Sequence, residues 1–417
     1  MLSASTSTSN RVVDEMSELA VYLAGEHAGT LTRKDNGNMQ FRYDPAYTGP
    51  VVSQALPFQQ NAHPHRVCVA VFGGLLLEGE PRQVLARNLG VSAANDFALL
   101  EDVGGDCAGA ITLLQPNVEL PSRPEVKPID PEELDRLLQT LPERPLGASP
   151  QEGIRLSLAG AQPKLPVILD EQEIGLPLNA AAASTHIIKP EPARFAGLVD
   201  NEAFCMDLAR AVELPTATVS KHATVSGIPY LLVERYDRDP TADPIRRLHQ
   251  EDVCQALGRP SNAKYQAEGG PTVAETVGLL RSCSTIPARD LPTLWRALVF
   301  NWLIGNCDAH GKNFSLLYDG SSPTLAPLYD LVSTTCYPEL TTRLAMSIDG
   351  ARDLAEIDAD TWTSLARQTG YSTRFIINAI SSLSERTALE AEKLASSALH
   401  ANDSARRILA GVHARLA

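Results

Sequence analysis

A switch in hydrophobic periodicity divides the chain near residue 240. Upstream, residues 154–240 run through short strand-like segments, IRLSLAG, KLPVIL, THIIKP, ATVSKHATV and IPYLLVERYD; beyond Ile245, apolar residues recur mostly at helical spacing. Within the strand-rich part, DNEAFCMDLARAV places Phe204, Leu208 and Val212 on one face, with Asp200 as a candidate N-cap. Downstream, RDLPTLWRALVFNWLIG has an apolar face broad enough for a central core helix, and SERTALEAEKLASSALHANDSARRILAGVHARL supplies one or two surface helices. This order predicts an α+β, two-lobed fold. A β-rich lobe carrying one helix spans residues 145–240. A helical lobe spans 241–417, with short strands only around NFSLLY and the approach to Asp330.

Ahead of these lobes, Leu19–Leu23, Gly29–Leu31 and Met39–Tyr43 are spaced as small antiparallel strands. In VCVAVFGGLLLEGEPRQVLARNLG the first part reads as a buried strand and the second as a helix, so residues 17–115 form an extra N-terminal α+β subdomain. Prolines through residues 116–150 predict a connector. Inside it only DPEELDRLLQTL is helical, with Asp130 as N-cap before Pro131. A chain of 417 residues accommodates two or three such units and a wide cleft.

Lys and Arg total 36 against 50 Asp and Glu, a formal charge of −14. That balance argues against a broad cationic face for nucleic acid or an anionic membrane, while contact with DNA through a partner stays open. No apolar stretch reaches 18 residues, and the first 20 lack a secretory signal, so a cytoplasmic protein is expected. The seven cysteines are scattered singly and suggest neither a disulfide frame nor a zinc site.

The chemistry-bearing pattern is D-A-H-G-K-N-F, Asp308–Phe314, directly after the apolar helix, followed by L-Y-D ending at Asp330. Phosphoryl transfer needs a carboxylate to orient and deprotonate the attacking hydroxyl, an amide or carboxylate on one metal, and a second carboxylate on magnesium. Asp308, Asn313 and Asp330 supply those roles in that order, with the D-x-x-x-x-N spacing of a kinase catalytic loop. The alternative is that Asp308 and Asn313 only cap local turns and His310 is a polar loop residue. In LSLAGAQPK, the small residues Ala159, Gly160 and Ala161 let backbone N–H groups approach a phosphate; a tight β-turn explains them equally. Lys189 ends a strand in THIIKP and could reach nucleotide phosphates, with Glu202 as its candidate partner, or else face solvent. LLVERYD leads from apolar strand into charge, as an interlobe hinge or as a buried edge.

Together LSLAGAQPK, THIIKP, NEAFCMDLAR, LLVERYDR, RLHQEDVCQALG, LIGNCDAHGKNFSLLY and APLYDL resemble the HipA family of toxin kinases. FGGLLLEGE and VSAANDFALLEDVGGDCAGA resemble that family's N-terminal subdomain. The resemblance implies a protein-kinase-like fold binding ATP and Mg2+. It assigns the general base to Asp308, metal coordination to Asn313 and Asp330, and ATP contacts to Ala159, Gly160, Ala161, Gln162, Pro163, Lys164, Lys189, Val233, Glu234, Arg235, His310 and Lys312. Ser157 becomes a candidate autophosphorylation site, where phosphate would expel the loop. The resemblance also implies a small helix-turn-helix antitoxin (HipB-like) that alone touches operator DNA, and a protein substrate such as an aminoacyl-tRNA synthetase. Pro163 and Leu77 depart from the family pattern, which carries a charged residue and a proline at those places. Two other readings stay open: a kinase-shaped interaction protein without catalysis, and a small-molecule kinase.

Overall fold

The computed structural model describes residues 17–147, 156–170 and 173–416. The polar N-terminal tail and the start of IRLSLAG lie outside the described residues. In the N-terminal subdomain β1 (Ser17–Leu23), β2 (Glu26–Arg33) and β3 (Met39–Tyr43) pair antiparallel. The segment expected as a buried strand is instead helix α1 (His65–Phe72). A short apolar run has no periodicity of its own to choose between strand and helix. Packing decides, and α1 sets Phe72 against Phe41 of β3 with ring centroids 5.3 Å apart. Helices α2 (Gly79–Leu89) and α3 (Asp96–Val103) follow, and β4 (Ile111–Leu114) completes a sheet of order β3-β2-β1-β4.

The proline-rich stretch is more than a connector. Its β5 (Val126–Ile129) becomes an edge strand, where Pro128 is tolerated, and α4 (Pro131–Thr140) is capped as expected by Asp130. Then come β6 (Leu165–Asp170), β7 (Glu173–Pro177), β8 (His186–Pro190), α5 (Leu198–Ala211), β9 (Val219–Ala223) and β10 (Pro229–Glu234). They form a six-stranded sheet of order β5-β7-β6-β8-β10-β9. LSLAG is not a regular strand: Leu156 and Gly160 make only isolated bridges, to Asp106 and Leu77. Helix α5 starts at Leu198 rather than at an Asp200 cap. Its free N–H groups at Gly197, Leu198 and Val199 all donate to the Glu191 carboxylate, which lies just beyond β8.

The second lobe opens with the ribbon β11 (Arg238–Asp239) and β12 (Arg246–Arg247), then β13 (His249–Asp252) and α6 (Val253–Ala256). Helices α7 (Val273–Cys283) and α8 (Pro287–Ile304) precede the hairpin β14 (Ser315–Asp319) and β15 (Ser322–Leu325). A ribbon of β16 (Arg343–Ile348) and β17 (Ala351–Asp353) leads into α9 (Ala359–Gln368), α10 (Thr373–Ala395) and α11 (Asp403–Leu416). This lobe holds more strand than expected, because β13 pairs with β14 and two ribbons border it. Helix α8 is central: Trp295, Val299, Phe300 and Leu303 are fully buried, and Trp295 stacks on Tyr371 at 5.5 Å. The core around α8 takes in Phe204, Leu208 and Val212 of α5, so the helix of the first lobe is anchored in the second.

Candidate active site

The lobes enclose a cavity of about 350 Å³, within the range of small-molecule sites. Ala159–Gln162, Lys164, Lys189, Val233–Arg235, Asp308, His310, Lys312, Asn313 and Asp330 all line it; Pro163 and Ser157 do not.

Lys189 is fixed from two sides. Its Nζ donates to Glu202 Oε1 of α5 at 2.7 Å and also contacts Asp330 Oδ1. Glu191, two residues on, holds the N-terminus of α5, so strand and helix are fastened at two points. Burial alone would strip the Lys189 charge, but Asp330 and Glu202 outweigh it and hold the ammonium above the ordinary lysine range. Burial likewise opposes the Asp330 charge; Lys189 and then Lys164 overcome it and keep the carboxyl well below its usual range. Asp330 also adopts φ 57°, a left-handed conformation that is strained for a residue with a side chain. Its side chain keeps 42% of its surface open to the cleft. The stretch after it is pinned by Asn201, whose amide donates to Ser333 O at 3.0 Å and accepts from Ser333 N–H at 2.8 Å. No role for Asn201 follows from the sequence, since its partner is 132 residues away.

Helix α8 stops at Gly305, φ 72°, where a Cβ would strike the Thr335 and Arg415 side chains. Asn306 then accepts from Asp308 N–H at 3.0 Å. Asn313 donates its amide N–H to Asp308 O at 3.3 Å, which leaves its side-chain oxygen for the cleft. Asn313 therefore does hold the local turn, as the simpler reading expected, but the Asp308 carboxylate does not. It is half exposed, and its Oδ1 accepts from Tyr265 Oη at 2.8 Å, a contact with no sequence signal. His310 Nε2 stands 4.0 Å from Asp308 Oδ2. Burial pushes the His310 imidazole below its ordinary range, and its buried Nδ1 has no hydrogen-bond partner among the described residues.

The small-residue loop closes over the cavity. Gly160 has φ 110°, and a Cβ there would lie 2.7 Å from Lys164 Nζ. Lys164 donates back to Ala159 O at 2.6 Å, and burial pushes its ammonium down to about 8. Ser157 is fully buried, its hydroxyl donating to Leu75 O at 2.8 Å and its N–H to Asp106 O at 3.0 Å. Two expected nucleotide ligands are engaged elsewhere. The Lys312 ammonium meets Gly74 O, Ser261 Oγ and the carboxylates of Glu78 and Asp252, tying the helical lobe to the N-terminal subdomain. The Arg235 guanidinium is buried against Asp237, Ser184 and Cys107 O. Of the hinge backbone, the N–H groups of Glu234 and Arg235 already donate to Thr218 O and Thr185 O.

The donor set suits magnesium and a polyphosphate. Asn313 and Asp330 offer hard oxygen ligands beside the Lys164 and Lys189 ammonium groups. No cluster of three or more His, Cys, Asp or Glu among the described residues would hold a metal alone. Magnesium commonly takes one or two protein ligands, with phosphates and water supplying the rest.

Residues 156–391 match the family model described as the HipA-like C-terminal domain, and residues 19–114 match the HipA N-terminal domain. The chain is 46% identical over 381 residues to Y4mE of Sinorhizobium fredii, covering 89% of this chain and 90% of that one. It is 30% identical over 364 residues to the serine/threonine-protein kinase toxin HipA of Shewanella oneidensis, 84% of this chain and 82% of that one. The solved complex of Shewanella oneidensis HipA and HipB with operator DNA contains a chain of the same fold. The match has TM-score 0.82 and 27% identity, covering 95% of this chain and 96% of that one. With both segments matched in order and the kinase-like cleft lying mainly within the second of them, the chain belongs to the HipA-like toxin–antitoxin kinase family.

Proposed function

We propose that this kinase transfers the γ-phosphate of ATP to serine or threonine hydroxyls of a protein, as the toxin of a toxin–antitoxin pair. The observation that carries the reading is the Lys189 ammonium held between Glu202 and Asp330, in the same cleft as Asp308. Apolar walls from Leu158, Ile187, Ala217 and Val233 would take the adenine, and Lys164 and Lys189 the phosphates. Asn313 and Asp330 would hold magnesium, which neutralises charge on the phosphates when bound. Asp308 orients the acceptor hydroxyl through its free oxygen and takes its proton, since Oδ1 is already occupied by Tyr265.

Autophosphorylation of Ser157 belongs to the same reading. Its hydroxyl faces a carbonyl acceptor in a fully buried site, so modification requires the loop to leave, and a phosphate could not return there. A HipB-like helix-turn-helix antitoxin is the expected partner. The Shewanella complex pairs HipA with HipB on operator DNA, and a charge of −14 suits DNA contact through a partner. A translation protein such as an aminoacyl-tRNA synthetase is the proposed substrate, on family resemblance.

The test is intact and peptide mass spectrometry after incubation with magnesium ATP, with Asp308→Asn as control. Phosphate on Ser157 or on a copurifying protein in the wild type, absent from the control, is expected. Bound ATP with no transfer to any protein would sink the reading, and phosphate on a metabolite alone would mark a small-molecule kinase.

A further inference from the structure

Glu78 stands where three parts of the cleft meet. Its N–H donates to Gly160 O at 3.1 Å, and Leu77 bridges Gly160 in parallel, so this strip of the N-terminal subdomain lies along the phosphate loop. Its carboxylate turns toward the helical lobe. Oε2 accepts from Lys264 Nζ at 2.9 Å, and Oε1 lies 3.3 Å from Lys312 Nζ. Lys312 belongs to the loop between Asp308 and Asn313. Lys264 Nζ sits 5.4 Å from the centroid of the Tyr265 ring, whose hydroxyl donates to Asp308. One residue is thus linked by its side chain to the catalytic loop through Lys312 and to the proposed base through Lys264 and Tyr265, and by its backbone to the phosphate loop.

The electrostatics favour this arrangement over a chance contact. Burial opposes the Glu78 charge, yet Lys312 and Lys264 overcome it and hold the carboxyl below its ordinary range. Glu78 and Lys264 also form part of the wall between the ATP cavity and a neighbouring groove of about 860 Å³.

We propose that Glu78 is a positioning residue for phosphoryl transfer, through which the N-terminal subdomain holds the phosphate loop and the catalytic loop in register. The inference rests on the kinase reading for its effect on rate, but its structural part can be read without catalysis. The full chain is compared with Glu78→Gln, Glu78→Asp and Lys264→Met, by hydrogen exchange of the Ser157–Lys164 amides without nucleotide and by KM for ATP against kcat. Glu78→Gln should speed loop exchange about tenfold and raise KM about tenfold. Glu78→Asp should recover most of both, and Lys264→Met should speed exchange as Glu78→Gln does. A folded Glu78→Gln protein whose loop exchanges as slowly as the wild type overturns the proposal. Should that variant fail to fold, unchanged exchange in Lys264→Met overturns it instead. A wild type that transfers no phosphate defeats the kinase reading, while exchange still decides the link from Glu78.

Discussion

Asp308 has one carboxylate oxygen held by Tyr265 and the other open to the cleft, as the proposed role of general base requires. Asp308→Asn should therefore lower kcat by about a thousandfold, with melting temperature and ATP affinity near the wild type, as steady-state kinetics and nucleotide titration would show. A second carboxylate, outside the cleft, gives a pH dependence. Glu251 on β13 is buried where the N-terminal subdomain meets the helical lobe, accepting from Ser53 Oγ at 2.6 Å, Gln54 N–H at 3.0 Å and the Tyr318 hydroxyl. Burial pushes its carboxyl up to about 7. A raised folded value means that the native state binds more protons than the unfolded chain between the ordinary value of 4.5 and about 7. The stability contributed by this group is present in acid and lost as pH rises through about 7. Glu251→Gln stays neutral, so its melting temperature should gain on the wild type between about pH 5 and 8, by the equivalent of about 2 kcal/mol. A gap that stays constant over that range would show that the buried carboxyl does not titrate there.

Helix α5 shows what was legible in the sequence and what was not. Its existence and buried face follow from Phe204, Leu208 and Val212, and its pairing with Lys189 was foreseen through Glu202. Its start was not, because the capping group is Glu191, a carboxylate arriving from the loop after β8 rather than the Asp200 inside the helix. Similar reasons govern the other surprises. α1 became a helix because only its seat on β3 distinguishes helix from strand in VCVAVF. Lys312 and Arg235 are the right residue types near a nucleotide, but distant carboxylates and carbonyls had already engaged them. Tyr265 carries no local pattern at all, since its meaning is its distance to Asp308. The Glu191 clamp also predicts a measurable effect. Glu191→Ala should lower stability by about 1–2 kcal/mol in urea unfolding and raise KM for ATP, as Glu202 loses its alignment with Lys189. Lost stability with an unchanged KM would separate the cap from nucleotide binding.

Across the whole molecule, the lobes and the N-terminal subdomain are joined by a buried ionic cluster. Asp106, just ahead of β4, accepts from Arg238 at 2.9 Å, Arg247 at 3.0 Å and the Ser184 hydroxyl, with Arg235 3.7 Å away. Asp237 pairs with Arg235 at 2.7 Å and with Arg238 at 3.2 Å. Burial pushes the Asp106 carboxyl up, and the three arginines more than reverse it. Removing that carboxylate leaves buried cations short of an anion, so Asp106→Asn should destabilise the protein by about 3–5 kcal/mol in urea unfolding. A shift under about 1 kcal/mol would mean that water reaches the arginines and the cluster carries little energy. The two segments that match separate family models also share a second core, in which Leu19 and Phe41 of the N-terminal sheet are continuous with Val167 and Ile188 of the six-stranded sheet. Asp106 lies in one matched segment and its arginines lie in the other. Recombination between relatives at the seam between them would therefore exchange one side of an ionic lock without its key, and lineages should inherit the two segments together.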